Sequence, residues 1–273
     1  MIKNNYTCGI DIGTHTTKVA VLKYNKENRD YSVMAVGLTE TRGMKRGYII
    51  NVDLVVESII KAIQQTEKIT GFKIKRAFVS IGGISLKSIT SVGSVITSKS
   101  DQEITDLDVT KAISISEKKL DLLNKKIVRT IPIGYKLDGK EIYVKPEGMR
   151  GAKLEIKTLS IVCLKRNIDD LATALALAKI RIEDIIASPI ADSSILLTSK
   201  QTAAGCILVN IGYETVSIVC FENSLLLSLQ VFPIGSMDIT KDIALGLQIS
   251  LEEAESIKLG SVIGGNYSKK KID

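Results

Sequence analysis

Near the start of the chain, an apolar stretch ends in an aspartate, a glycine and a run of hydroxyls: Asp11, Gly13, Thr14 and Thr16, with Lys18 just beyond. In a β-hairpin turn of this composition the backbone can come close to a ligand. Its N–H groups and Oγ atoms then converge on one spot, an arrangement suited to phosphate. A carboxylate beside a phosphate calls for a divalent cation between them, and Mg²⁺ takes one or two carboxylates with phosphate oxygens and water. Asp11 is thus the candidate Mg²⁺ contact, through water, and Lys18 a candidate second positive charge. The same residue types also make ordinary turns, so a single copy is a weak signal.

The pattern recurs 199 positions on. CGIDIGTHTTKVAVL at 8–22 aligns with ILVNIGYETVSIVCF at 207–221, placing Asp11 on Asn210, Gly13 on Gly212 and Thr16 on Thr215. Each copy reads as an apolar strand, a glycine turn with hydroxyls and a second apolar strand. Two hairpins so far apart do not make a solenoid. They predict a duplicated domain whose halves face each other across a cleft, with Asn210, Gly212 and Thr215 as the second lining.

Alternating strand-like and helix-like segments are to position these turns, which argues for an α/β fold with parallel elements. Strands are expected at 6–12, 16–24, 31–39, 75–81 and 154–163. A helix is expected from Val52, with Val55, Val56, Ile59, Ile60 and Ile63 on one face, Asn51 as its cap and Gly71 at its end. Residues from about 85 to 160 are richer in Ser, Thr and Lys and surround one helix over 106–123, opened by Thr105 and Asp108. They read as a small inserted α+β module, expected to be removable with the remainder left folded. A helix from Asn167 and another from Pro189 to about Thr198 complete the reading.

Composition excludes several functions. Of 273 residues, 37 are basic and 30 acidic, a formal charge of +7, and 45% are apolar. That is enough for a substantial core and rules out dominant disorder. The basic residues are scattered, Trp is absent and aromatics are 4%, so no stacking platform or phosphate-backbone footprint for nucleic acid is expected. No apolar run reaches bilayer length and the first residues lack a signal-peptide core, which predicts a soluble cytoplasmic protein. Cys8, Cys163, Cys206 and Cys220 lie in apolar stretches without a C-x-x-C pair, and are expected as small buried residues in a reducing compartment. His15, the only histidine, has no partner for a zinc site. Neither a P-loop nor a G-x-S-x-G elbow is present, and no catalytic residue is assigned.

Longer motifs are more specific: RGYI at 46–49, PEGMRGAKLE at 146–155, PIGSMDITKDIALG at 233–246 and SLEEAESIK at 250–258. Together with GIDIGT at 9–14 and LVNIG at 208–212, they make the sequence resemble FtsA, the actin-like bacterial cell-division family, over nearly its whole length. The resemblance implies an actin-like (RNase H-like) duplicated fold. Residues 1–84 and 162–191 are the first actin-like domain, 85–161 the inserted SHS2-type subdomain, and 192–273 the start of the second domain, with its second half incomplete. It further implies ATP and Mg²⁺ in the cleft and a scaffold linking the FtsZ ring to the cytoplasmic membrane. The expected partners are FtsZ, other division proteins and further copies in actin-like filaments, at the inner face of the membrane at the division site.

Three departures qualify what is carried over. The first loop is longer between Thr14 and Lys18 than is usual in FtsA and nearer in spacing to PilM, the pilus-assembly relative, or to the heat-shock chaperones. The family's second loop, DIGGGTTD, becomes NIGYETVS at 210–217: both acidic ends are gone, Glu214 adds a carboxylate, and Tyr213 adds bulk where glycine admits phosphate. The sequence given ends at Asp273, short of the family's adenosine motif and C-terminal membrane helix. Residues 268–273 offer no apolar face to replace that helix, which leaves membrane contact in question. The expectation is weak ATP–Mg²⁺ binding and negligible hydrolysis. A PilM-like scaffold, an actin-fold phosphotransferase or kinase, and a fold without nucleotide are the alternatives.

Overall fold

A computed structural model describes residues 6–27, 29–98 and 100–260. The lysine run at 269–271, the glycines at 264–265 and the first five residues lie outside them.

Strands β1 (Tyr6–Ile12), β2 (Thr16–Asn25) and β3 (Asp30–Glu40) form an antiparallel meander. A two-residue turn then joins the short strands β4 (Met44–Lys45) and β5 (Tyr48–Ile49). Helix α1 (Val52–Thr70) follows. The Asn51 side chain accepts the Leu54 N–H, and Gly71 ends the helix in the left-handed region, its N–H on the Glu67 carbonyl, as cap chemistry dictates. Val55, Ile59, Ala62 and Ile63 are buried, and α1 packs on β2 and β3. Strand β6 (Arg76–Ile81) returns parallel to β1.

The chain next builds β7 (Lys87–Ile96), α2 (Asp106–Lys118), β8 (Lys125–Leu137), β9 (Lys140–Ile142) and β10 (Lys153–Leu164). Thr105 and Asp108 make a reciprocal capping box, with Asp filling the role that Glu or Gln usually takes. Helix α2 stops at Lys118 rather than Leu123. The Leu120 N–H turns back to the Glu117 carbonyl, Asn124 takes φ 57°, and Leu123 is left exposed. A small core of Ile104, Ala112, Leu137, Leu154 and Ile156 belongs to this module alone. Leu159, Ile161 and Cys163, further along β10, belong to the main core, as does Leu86. The seam between module and body therefore runs through the middle of β10.

Helix α3 (Lys165–Leu177) buries Leu171 and Leu175, and β11 (Arg181–Ala187) completes a five-stranded sheet of order β11-β6-β1-β2-β3. The single helix expected from Pro189 to Thr198 is instead two helices. α4 (Ser188–Leu196) ends where Leu197 turns extended, and Thr198 caps α5 (Ser199–Ala204) through Gln201. A hydroxyl followed three residues later by Gln starts a helix more strongly than the apolar run before it continues one. Then come β12 (Cys206–Ile211), β13 (Val216–Glu222) and β14 (Leu225–Phe232), followed by α6 (Ser236–Leu247) and α7 (Leu251–Gly260). The three strands extend the module's sheet into a seven-stranded order, β12-β13-β14-β7-β10-β8-β9, through the pair Gln230 and Lys87.

Of the four cysteines, only Cys8 and Cys163 are buried; Cys206 and Cys220 are half-buried on β12 and β13, where their sheet is less covered than the first. Burial pushes the Cys8 thiol up to about 12 and the Cys163 thiol up to about 11, which leaves both unreactive. Among the described residues no helix is long and apolar enough to cross a membrane.

Candidate functional site

The two turns singled out by the repeat close in the same way. The Gly13 N–H donates to the Thr16 carbonyl at 3.0 Å, and the Gly212 N–H to the Thr215 carbonyl at 2.8 Å. A Cβ added at either glycine would lie 3.0 Å from that same carbonyl oxygen, so a side chain would crowd both hairpins at the same atom. Equivalent backbone geometry 199 residues apart is the structural form of the duplication.

The turns face each other. His15 at the tip of the first and Tyr213 at the tip of the second stack, ring centroids 4.5 Å apart. The β4–β5 turn lies against both. Arg46 and Gly47 hold φ of 50° and 76°, the left-handed pair that a two-residue hairpin loop favours. The Gly47 N–H donates to Thr14 Oγ1 at 3.0 Å, and the Arg46 N–H donates to Glu214 Oε2 at 2.6 Å. The second hairpin is also fastened from behind. Gly212 and Tyr213 carbonyls accept the N–H groups of Ser236 and Met237 at the start of α6, at 2.9 and 2.8 Å. At Gly235 a side chain would collide with the Tyr213 carbonyl, 2.4 Å away.

Beside the turns stand two aspartates, Asp11 and Asp192. The Ser80 hydroxyl donates to Asp11 Oδ1, and Lys18 Nζ stands 3.9 Å from Asp11 Oδ2. From α4, Asp192 accepts the Asn210 amide at 2.7 Å. Burial pushes the Asp192 carboxyl up; the Asn210 hydrogen bond pulls it down, the Asp11 charge adds to the rise and Lys18 offsets it in part, for a net upward shift. Tyr213 is also shifted up, by burial first and then by Glu255 and Glu214. Two aspartates placed where the charge of Asp11 acts on Asp192 suit a divalent cation with phosphate oxygens, so the residues present fit Mg²⁺ with a phosphate. No group of three or more His, Cys, Asp or Glu side chains is gathered for a metal among the described residues. Asp11 and Asp192 would therefore act with ligand oxygens and water.

Of the residues named from sequence, the fold gathers Asp11, Gly13, Thr14, Thr16 and Lys18 on one wall and Asn210, Gly212 and Thr215 on the other. Thr14 faces the Arg46–Gly47 turn as well as the cleft. Sequence reasoning missed Ser80, Asp192 and that turn. Both β4–β5 residues lie in a motif noted only as characteristic of a family. Asp192 lies on a helix without an apolar stripe to orient it.

Two family models match the chain: "Cell division protein FtsA" over residues 207–272 and "SHS2 domain inserted in FTSA" over residues 83–162. Cell division protein FtsA of Bacillus subtilis is 33% identical over 258 residues, 94% of this chain and 58% of that protein. Its counterpart in Pseudomonas aeruginosa is 28% identical over 251 residues, 92% and 60% respectively. The chain thus spans less than two thirds of these relatives. Among solved structures, the PilM–PilN type IV pilus biogenesis complex gives a TM-score of 0.67 at 15% identity, over 93% of this chain and 69% of that one. Ethanolamine utilization protein EutJ from Carboxydothermus hydrogenoformans gives 0.54 at 16%, over 93% and 61%. At such identities the likeness is one of fold, and the fold is the actin-like α/β architecture with an inserted SHS2 domain.

Proposed function

The chain is an FtsA-like cell-division protein with an actin-like fold, and from that premise we propose that it is a division scaffold linking the FtsZ ring to the cytoplasmic membrane. In this reading it works at the inner face of the membrane at the division site. It contacts FtsZ and other division proteins, and associates with itself in filaments. The cleft binds ATP with Mg²⁺ and hydrolyses it slowly or not at all. The single observation that carries the nucleotide part is the pair of identically closed glycine hairpins facing each other, with Asp11 and Asp192 between them.

Each residue then has a task. Gly13 and Gly212 let the backbone approach phosphate, Thr16 and Thr215 fix the two turns, and Lys18 balances charge beside Asp11. Asp11 would hold Mg²⁺ through water, with Asp192 opposite; the ion supplies the positive charge that lets phosphate sit between carboxylates. Asn210, engaged with Asp192 and uncharged, gives no carboxylate to orient an attacking water. A scaffold needs occupancy that sets the angle between its halves, not turnover.

Titration calorimetry of the chain with ATP and Mg²⁺ tests this. The expected dissociation constant lies above micromolar, weaker than about −8 kcal/mol. A dissociation constant at or below about one micromolar would overturn the view that Tyr213 and Glu214 weaken the site, and rapid turnover of ATP would overturn the scaffold.

A further inference from the structure

Glu214 carries, at the tip of the second hairpin, a charge of the same sign as phosphate. Its carboxylate is seated on the Arg46 N–H at 2.6 Å, next to the Gly47 N–H that Thr14 receives. The two donors are consecutive in one tight turn, and a turn's successive N–H groups can serve an anion; here one reaches Thr14 and the other Glu214. The bond lies at the short end for a charged acceptor and ties together residues 168 apart in sequence. The Arg46 guanidinium acts on Asp238 instead, helping to hold that carboxyl down after Lys241 and Gly235. Glu214 is thus held by the backbone rather than by an ion pair.

Resting on the reading of the cleft as a phosphate site, we propose that Glu214 is a built-in substitute for an anionic ligand. Seated on the Arg46–Gly47 turn, and helped by the His15–Tyr213 stack, it latches the two hairpins together; a phosphate-bearing ligand enters by displacing it. The latch has little slack on its own side. The Tyr213 carbonyl is held by Met237, and Gly235 packs against it. Opening therefore requires the Glu214 side chain to swing out or the hairpin to move together with α6. A latch engaged about nine-tenths of the time weakens the apparent affinity for its competitor about tenfold.

The test uses the full chain, Glu214→Gln, which keeps the shape and removes the charge, and Glu214→Ala as a second variant. Two probes, Mg²⁺–tripolyphosphate and Mg²⁺–ATP, are titrated into each, and amide hydrogen exchange is read at Arg46 without ligand. The expected result is tighter tripolyphosphate binding by both variants, about tenfold in Glu214→Ala, with Arg46 exchange faster by about the same factor in Glu214→Ala, which leaves the Arg46 N–H no acceptor. If tripolyphosphate tightens but ATP binds no better than tripolyphosphate, the latch stands and the adenine-nucleotide reading falls. If ATP binds wild type and variants equally, the latch falls and the nucleotide reading stands. Unchanged Arg46 exchange in Glu214→Ala overturns the latch whatever the affinities, and no binding of either probe overturns both.

Discussion

The two hairpins share a backbone and little else. In the first, Cys8, Ile10, Val19 and Val21 are buried beneath α1 and between neighbouring strands. In the second, the equivalent positions Ile207 and Val209 are largely exposed; β13, with the buried Val219, packs on α4 and α5, and β14, with Leu229 and Val231, leans on the module's strands. The first turn offers Asp11 and Lys18 to a ligand; the second offers Asn210 and fills its tip with Tyr213 and Glu214. A glycine and a four-residue closure are enough to reproduce a turn, while the chemistry at its tip and the support beneath it can change independently.

The largest effect that would sharpen this comparison is removal of the module. Excision of 85–161 takes Leu86, Leu159 and Ile161 out of the main core and β7 away from β14. The expectation from composition was a folded remainder. The packing predicts loss of the cooperative calorimetric transition, with the second hairpin the first region to lose protection. A remainder melting as one unit near the native temperature would show that the second hairpin stands without that support.

Next in size is the contrast between equivalent core and surface positions. Ile10→Ala, at a residue 2% exposed, is expected to cost about 3 kcal/mol in urea unfolding. Val209→Ala, 50% exposed, is expected to cost about 0.5 kcal/mol or less. Equal costs would contradict the asymmetry. Gly235→Ala forces a Cβ toward the Tyr213 carbonyl, and about 1–3 kcal/mol is expected. A cost near zero would mean that the second hairpin is not clamped to α6.

The smallest effect is in pH. Asp192 has its carboxyl raised, so its contribution is fully present below the ordinary carboxylate value of about 4 and is lost as pH rises through the raised one. Asp108 behaves oppositely. Burial pushes it up, but the Thr105 and Ser98 hydrogen bonds prevail and hold it down, so its contribution is lost as pH falls. Melting temperatures measured from pH 3 upward should therefore fall less at the alkaline side of this range in Asp192→Asn than in wild type. Parallel profiles would remove Asp192 from the charged centre of the cleft.

Much of this was legible from residue order. The α1 stripe, its Asn51 and Gly71 caps, the Thr105–Asp108 box and both hairpins are local patterns, and local patterns survive folding. What was not legible depends on distant partners. Arg46 meets Glu214 across 168 positions, and nothing in RGYI says which carboxylate its turn will face. Asp192 sits on a nine-residue helix that buries only Pro189 and Ser193, so no periodicity oriented it toward Asp11. The break between α4 and α5 was readable, since Thr198 and Gln201 form a capping box, but the apolar run at 195–197 masked it. Nor does residue order say which core each part of β10 serves, since a strand has no obligation to end where a core does: Leu154 and Ile156 pack in the module, Leu159 and Ile161 in the body.

That last point has a mechanical side. Strand β10 runs twelve residues, about 40 Å at strand rise, and is hydrogen-bonded to β7 on one side and β8 on the other for most of its length. One end is rooted in the module at Leu154 and Ile156, the other in the body at Leu159 and Ile161. It has a foot in each core, and between them its pairing with β7 runs unbroken while its pairing with β8 slips in register at Lys157 and Thr158. A pull on the module's far end therefore has a path to the body along one continuous strand, braced on its β7 side from Lys153 to Val162.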